Sequence, residues 1–230
     1  MIFSVHQPQY IPWLGYFDKI AKSDCFVFLD NVQYKTREFQ NRNKIRTKDG
    51  WIWLSVPVAC KGKRCQIMSD VLIDNNFLWQ RQHLKSLKTW YAKAEFTKYH
   101  MPFLEDVYSK RWDKLSELNV SIIIYALEKL EISKDIRFES RLGTTQKSTD
   151  RIIEIAKKLR ADCYLSGTGG RDYLEEDKFV KEDIKLVYQD FKHPVYRQQF
   201  MSGKDDFIPY MSILDLLFNE GPRAKEILGL

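Results

Sequence analysis

Residues 1–30 read MIFSVHQPQYIPWLGYFDKIAKSDCFVFLD, and the order of patterns in this stretch decides the fold. Ile2 to Val5 is short and apolar and suits a strand. His6-Gln7-Pro8-Gln9-Tyr10-Ile11-Pro12-Trp13 follows, and its two prolines forbid a helix interior or a central strand. Leu14, Phe17, Ile20 and Ala21 then share one helical face over Leu14 to Ala21. Ser23-Asp24 ends that segment. Cys25-Phe26-Val27-Phe28-Leu29 is a continuous apolar run, as expected of a parallel strand buried on both faces. Strand, helix, strand is a βαβ unit, so the reading is an α/β protein with a parallel-sheet, Rossmann-like core.

Working outward, Asn41 to Thr47 and Trp51 to Val58 flank Lys48-Asp49-Gly50, and Asp-Gly between strand-like runs predicts a β-hairpin. A weaker strand pair is expected across Arg64 to Ser69 and Val71 to Asp74. Helical spacing then covers Phe77 to Ala92, a helix opened by Pro102 and ending near Lys110, and Lys114 to Leu130. A strand is expected at Ile136 to Phe138. Ser148 is read as the cap of a helix over Thr149 to Leu159. Asp162 to Ser166 and Leu186 to Gln189 read as strands, and Ser212 to Phe218 as the last clear helix. With no linker or repeat, the 230 residues are expected to form a single α/β domain over 1–230, with a helical insert at about 75–135.

Hydrophobic residues make up 44% of the chain, enough apolar surface to exclude a disordered protein. The formal net charge is +6, a mild field that favours anionic partners without choosing among them. The four cysteines are scattered, only Cys60 and Cys65 lie close together, and no zinc-ligand spacing appears. No basic leader opens the chain, and no apolar run approaches the roughly 20 residues that cross a bilayer. A cytoplasmic protein with reduced thiols and no integral membrane segment is expected.

Polar clusters stand where strands end, which is where open α/β sheets bind ligands. His6, with Gln7 and Tyr10, directly follows the first strand, and its pKa range suits general acid–base work or phosphate contact; a plain strand cap explains it as well. Asp30 and Gln33 follow the second strand. In Asn41-Arg42-Asn43-Lys44 the amides and the cations face opposite sides of a strand, so Arg42 and Lys44 could clamp an anion or simply be solvated. Trp51 and Trp53 share a face that either stacks on a base or sugar or joins the core. Ser166-Gly167-Thr168-Gly169-Gly170 runs from a strand toward a helix whose first turn is expected to hold Asp172, Glu175 and Glu176. Such a loop offers backbone N–H groups to an anion, although it lacks the endings of the known nucleotide loops. Asp190 and His193 follow a later strand as a carboxylate and base pair. Asp215 and Asn219 share a face of the last helix and are read as bracing the site. His83 and His100, inside helices, are read as structural or exposed.

The motifs His6-Gln7-Pro8-Gln9-Tyr10-Ile11-Pro12-Trp13-Leu14-Gly15-Tyr16-Phe17, Phe28-Leu29-Asp30-Asn31-Val32-Gln33-Tyr34, Asn41-Arg42-Asn43-Lys44-Ile45, Tyr164-Leu165-Ser166-Gly167, Tyr188-Gln189-Asp190-Phe191-Lys192-His193-Pro194 and Ser212 to Asn219 resemble the WbqC-like family. They spread over nearly the whole chain. One departure is Thr168-Gly169-Gly170, where the family pattern leads one to expect a proline beside the glycine. The resemblance implies a role in bacterial surface-polysaccharide (O-antigen) biosynthesis, with transfer of a glycyl or other aminoacyl group to a sugar.

The leading expectation is therefore an acyl or aminoacyl transferase acting on a nucleotide-linked amino sugar. His6 or His193, the latter with Asp190, would be the base. Gln7, Tyr10, Asp30, Gln33, Asn41, Arg42, Lys44, Ser166, Gly167, Gly169 and Gly170 would hold the ligand and its phosphates. The donor would be an activated acyl or amino acid, carried on aminoacyl-tRNA, a carrier protein or a thioester. No metal is called for, and the cofactor is open. A second resemblance, to nucleotidylyltransferases and pantothenate synthetase, implies ATP-dependent adenylation or ligation. The chain departs from it at Tyr16, where the second histidine of their loop would stand. A non-catalytic module for sugar or RNA is the third reading.

Overall fold

Alternation along the N-terminal strands sorts side chains onto two sheet faces. In the computed structural model, which describes residues 1–59, 62 and 65–230, β1 (Ile2–His6) and β2 (Cys25–Phe28) are joined by α1 (Leu14–Ala21). Phe3, Val5, Cys25 and Val27 face one way and Phe26 and Phe28 the other, all buried. β5 (Asp135–Phe138), β6 (Cys163–Ser166) and β7 (Lys185–Tyr188) complete a five-stranded sheet in the order β5-β2-β1-β6-β7. Every pairing in it is parallel.

One face is covered by α1, α4 (Leu115–Lys129) and the C-terminal helices α7 (Ile213–Glu220) and α8 (Ala224–Ile227). The other is covered by α5 (Ser148–Leu159) and α6 (Glu176–Lys181). Apolar burial on both faces accounts for the near-continuous hydrophobic runs of the central strands. The chain winds from β1 through β2 to β5 on one side, then returns to β6 and β7 on the other. The order therefore reverses between β1 and β6. At such a reversal the connections leave in opposite directions and open a crevice beyond the strands' carboxyl ends.

A third core lies under the hairpin β3 (Arg42–Thr47) and β4 (Gly50–Ser55). Ile45, Leu54 and Val56 pack there on the helices α2 (Trp79–Trp90) and α3 (Thr97–Ser109) and on one end of α4. These helices are the expected insert between the hairpin and β5.

Four expectations need correction. No second strand pair forms among the described residues of 65–74. Isolated bridges join Gln33 to Ile67, Val58 to Ile73 and Leu72 to Lys114, around a 3₁₀ turn at Met68–Asp70. Each of these short segments finds a different partner, so no common ladder develops. Cys60 and Arg64 lie outside the described residues; Cys25, Cys65 and Cys163 are free thiols. Pro102 lies inside α3 instead of opening it. The carbonyl that it cannot serve belongs to Lys98, an exposed residue near the helix start, where the loss is small. Ser148 does not cap α5 through its side chain, because it already occupies the first helical position with φ at 51°. Glu154 Oε2 instead accepts the Thr145 and Gln146 N–H groups ahead of the helix. Finally, residues 168–172 form a 3₁₀ turn and α6 starts only at Glu176. Among the described residues no helix is long and apolar enough to cross a membrane.

Candidate active site

β1 delivers His6 to the carboxyl edge of the sheet, and β6 delivers Ser166 and Gly167 to the same edge one strand away. Into the gap between them reaches Lys19 of α1. Its Nζ donates to the Val5 carbonyl at 3.0 Å and lies 2.9 Å from His6 Nδ1. A Cβ on Gly167 would come within 3.9 Å of the same Nζ, so this amine sits at the reversal point itself. Lys19 is only 3% exposed, and burial pulls its pKa down to about 7. His6 is held well below the usual histidine range, first by burial and then by the neighbouring Lys19 charge. The imidazole is thus neutral at physiological pH, with its two nitrogens distinguished by their partners.

Those partners form a chain. Gln9 Nε2 lies 3.3 Å from His6 Nε2, the Tyr16 ring packs on the imidazole at 4.9 Å, and the Tyr16 hydroxyl donates to the Gln7 carbonyl. With Lys19 neutral, His6 Nδ1–H donates to the amine, and Nε2 is left as the acceptor that Gln9 reaches. With Lys19 charged, the ammonium donates to Nδ1 and Nε2 carries the proton. A partnerless Gln9 Oε1 is then available to accept it when the amide turns. The pair therefore has two proton arrangements separated by one titration near neutrality.

The loop after β1 is fastened so that His6 cannot drift. Gln7 Nε2 donates to the Gln33 carbonyl, and Gln40 Nε2 donates to Gln7 Oε1. Asn119 of α4 donates to the carbonyls of Pro8 and Gln40. On the far side, Gln189 at the end of β7 donates to Asp18 Oδ2 and to the Gly15 carbonyl, and Asp18 also pairs with Lys22 at 2.7 Å. Gly15 is required here, because the Trp13 indole lies over it where any side chain would go.

A model of the WbqC-like protein family matches residues 7–227. The chain belongs to the WbqC-like family. The uncharacterized protein Rv1507c of Mycobacterium tuberculosis is 33% identical over 226 residues, which cover 98% of this chain and 96% of that protein. No solved structure matches the chain significantly.

Within this WbqC-like chain the sequence-derived candidates separate into groups. His6, Gln7, Gln33, Ser166 and Gly167 lie along the carboxyl edge or tie down its loop. Asp30 is close by at the end of β2, but both of its oxygens are taken by Ser140, from the backbone N–H at 2.8 Å and the hydroxyl at 2.6 Å. Next to it a cavity of about 370 Å³ opens beyond β2 and β5, bordered by Asp30, Ser116, Val120, Phe138 and Arg141. His6 is in register with Phe28, and Phe28 with Phe138, so this cavity begins ~10 Å from His6 along the same edge. Gly170 serves packing, since a methyl there would overlap Ser166 Oγ, whereas Gly169 faces open space.

Other candidates lie elsewhere. Tyr10 points into the insert, where its hydroxyl meets His83 Nδ1 at 2.8 Å and the Tyr108 hydroxyl at 2.5 Å. Asn41 donates to the Val56 carbonyl, while Arg42 and Lys44 lie over the indoles of Trp53 and Trp51 on the hairpin. His193 spends both ring nitrogens on the backbone: Nδ1 donates to the Pro194 carbonyl at 2.8 Å and Nε2 accepts from the Tyr210 N–H at 3.1 Å. Asp190 is exposed, and among the described residues no hydrogen bond joins it to His193. His83 and His100 are buried in the insert, with pKa values that burial lowers to about 4.

Lys19, Asp18, Gln9, Gln189 and Asn119 were not legible as site residues. A signal for the first two exists: an eight-residue helix between two buried strands has no exposed side left, so Asp18-Lys19 must turn inward.

Proposed function

We propose that this protein transfers an acyl or aminoacyl group onto the amine of a nucleotide-linked amino sugar, with His6 as the base. The observation that carries the reading is the Lys19–His6 pair at the reversal of strand order, 2.9 Å apart, with Lys19 buried and His6 half-buried. In its neutral form Lys19 accepts Nδ1–H and leaves the lone pair on Nε2, where the attacking amine would take the place of the Gln9 amide that reaches it at 3.3 Å. The attacking amine loses its proton to Nε2 as the new C–N bond forms. His6 then returns that proton to the departing oxygen or sulfur of the donor as the C–O or C–S bond breaks. Backbone N–H groups of the loop after Gly167 would stabilise the oxyanion. The cavity beside Asp30 and Arg141 has room for part of the acceptor. The surface-polysaccharide setting and the glycyl donor come from the family resemblance.

The test is incubation of the purified protein with nucleotide-linked amino sugars and activated glycine, as glycyl-tRNA or a glycyl thioester, followed by mass spectrometry. A product heavier by one acyl group, lost in His6→Gln, is expected. No product, or turnover that survives His6→Gln unchanged, would refute the reading.

Adenylation has less support. The Tyr16 hydroxyl, at the place of the second histidine, is committed to the Gln7 carbonyl and its ring to His6. Release of AMP or pyrophosphate from ATP in the presence of candidate acids would reverse that judgement.

A further inference from the structure

The hairpin buries one face and leaves the other partly open, with Trp51 and Ser55 exposed and Arg42, Lys44 and Trp53 half-buried. Ile45, Leu54 and Asn43 turn inward; Asn43 is fully buried and donates to the Ile11 carbonyl at 2.8 Å. The outer face carries Arg42, Lys44 and Arg46 on β3 opposite Ser55, Trp53 and Trp51 on β4. Trp51 is 41% exposed and Phe39, which packs on Trp53, is 36% exposed. Arg42 stands 4.3 Å over the Trp53 ring and Lys44 4.3 Å over the Trp51 ring. The Arg46 end is closed, where its guanidinium donates to the Asp206 carbonyl.

Charge is concentrated in the same place. Between Lys35 and Asp49 the chain carries Lys35, Arg37, Arg42, Lys44, Arg46 and Lys48 against Glu38 and Asp49. Four of the six surplus positive charges of the whole protein thus fall within fifteen residues. Among the described residues, none of Lys35, Arg37, Arg42, Lys44 and Lys48 forms an ion pair, although the rest of the surface carries many. Unpaired cations beside exposed ring faces match a polyanion that brings its own flat rings.

We infer that the outer face of this hairpin is a platform for single-stranded nucleic acid, with bases stacking on Trp51 and Trp53 and phosphates held by Arg42 and Lys44. The exposed Trp51 indole, with Lys44 over its ring, has surface left for a base, Trp53 and Phe39 extend the aromatic surface beside it, and stacking of this kind tolerates sequence. The platform adjoins the loop after β1, since Tyr10 N–H donates to the Phe39 carbonyl. A strand bound there would pass beside the crevice. The inference stands without the transferase reading, because it concerns binding alone.

Fluorescence anisotropy with labelled 15-mer RNA, together with quenching of tryptophan emission, tests it. The expected result is binding at low salt that quenches emission and outcompetes the matching duplex. Affinity should fall at least tenfold in Trp51→Ala. In Arg42→Ala/Lys44→Ala the slope of log affinity against log salt should shrink by about 0.7 for each phosphate that is no longer neutralised. Circular dichroism spectra matching wild type would show that both variants fold, and Lys44→Glu should abolish binding. No binding at low salt, equal binding to duplex, or binding indifferent to Trp51→Ala would overturn the inference. So would preferential binding to anionic phospholipid vesicles.

Discussion

Lys19 Nζ and His6 Nδ1 lie 2.9 Å apart, and one proton between them decides which nitrogen of the histidine carries the N–H. Burial holds Lys19 at about 7 and keeps His6 neutral well below its usual range. The tautomer of His6 should therefore switch near pH 7 without an imidazolium forming. In ¹⁵N-histidine NMR spectra the two ring nitrogens are expected to exchange character with a midpoint near 7, and Lys19→Met should remove the transition. Any activity that uses His6 as base should rise with pH through the same midpoint. An imidazole that simply titrates to the cation near 6.5 would contradict this.

Lys19 also has a measurable cost to the fold. Its folded pKa lies below the ordinary value of 10.5, so between about 7 and 10.5 the unfolded chain binds more protons. Stability should rise with pH across that window, and the full penalty is felt at and below its lower edge. Replacing the amine by an apolar side chain of similar length removes the penalty. Urea unfolding at pH 7 should show Lys19→Met more stable by on the order of 3 kcal/mol, with the pH dependence above 7 flattened. A destabilised variant would mean that the hydrogen bond to Val5 outweighs the buried charge.

The sheet was legible in the sequence because its strands advertise themselves. Cys25 to Phe28 is apolar on both faces, and Leu14 to Ala21 has helical spacing, so the βαβ unit and the carboxyl edge carrying His6 followed directly. The hairpin was equally clear from Asp49-Gly50. What escaped was whatever depends on three-dimensional convergence. Lys19 reads as an ordinary helix cation until β6 brings Gly167 beside it, and Gln189 acquires its role only by reaching Asp18 across 171 positions. Tyr10 and His193 lie away from the Lys19–His6 pair: one turns into the insert, and the other has both ring nitrogens on backbone groups.

The contrast between the two histidines gives a further expectation. His193 is surrounded by Phe191, Tyr196, Phe207 and Tyr210, and it bridges Pro194 to Tyr210. His193→Ala should destabilise the chain by roughly 1–3 kcal/mol, because it removes a half-buried ring packed among four aromatic side chains together with its two backbone hydrogen bonds. It should leave the midpoint of the His6 transition unmoved. Thermal unfolding and the NMR titration separate the two effects, and a shifted midpoint would bring His193 into the site after all.

Asp215 supplies the last prediction. This fully buried carboxylate accepts from the Tyr91 hydroxyl at 2.8 Å, the Tyr196 hydroxyl at 2.7 Å and Gln198 Nε2 at 2.7 Å, and so joins α2, α7 and the loop beyond β7. Burial raises its pKa, and the three donors only partly offset that rise. The folded chain therefore binds this proton more readily than the unfolded chain. On this account stability should increase as pH falls from the raised value toward the ordinary 3.8. Asp215→Ala leaves three buried donors without an acceptor and should cost roughly 3–5 kcal/mol. Asp215→Asn keeps the shape and one acceptor oxygen, so it should cost less and abolish the pH dependence. Denaturant unfolding of the three proteins between pH 4 and pH 7, taken as a range of about three units, measures both effects. Equal losses in the two variants would show that the volume at this position matters more than its hydrogen bonds.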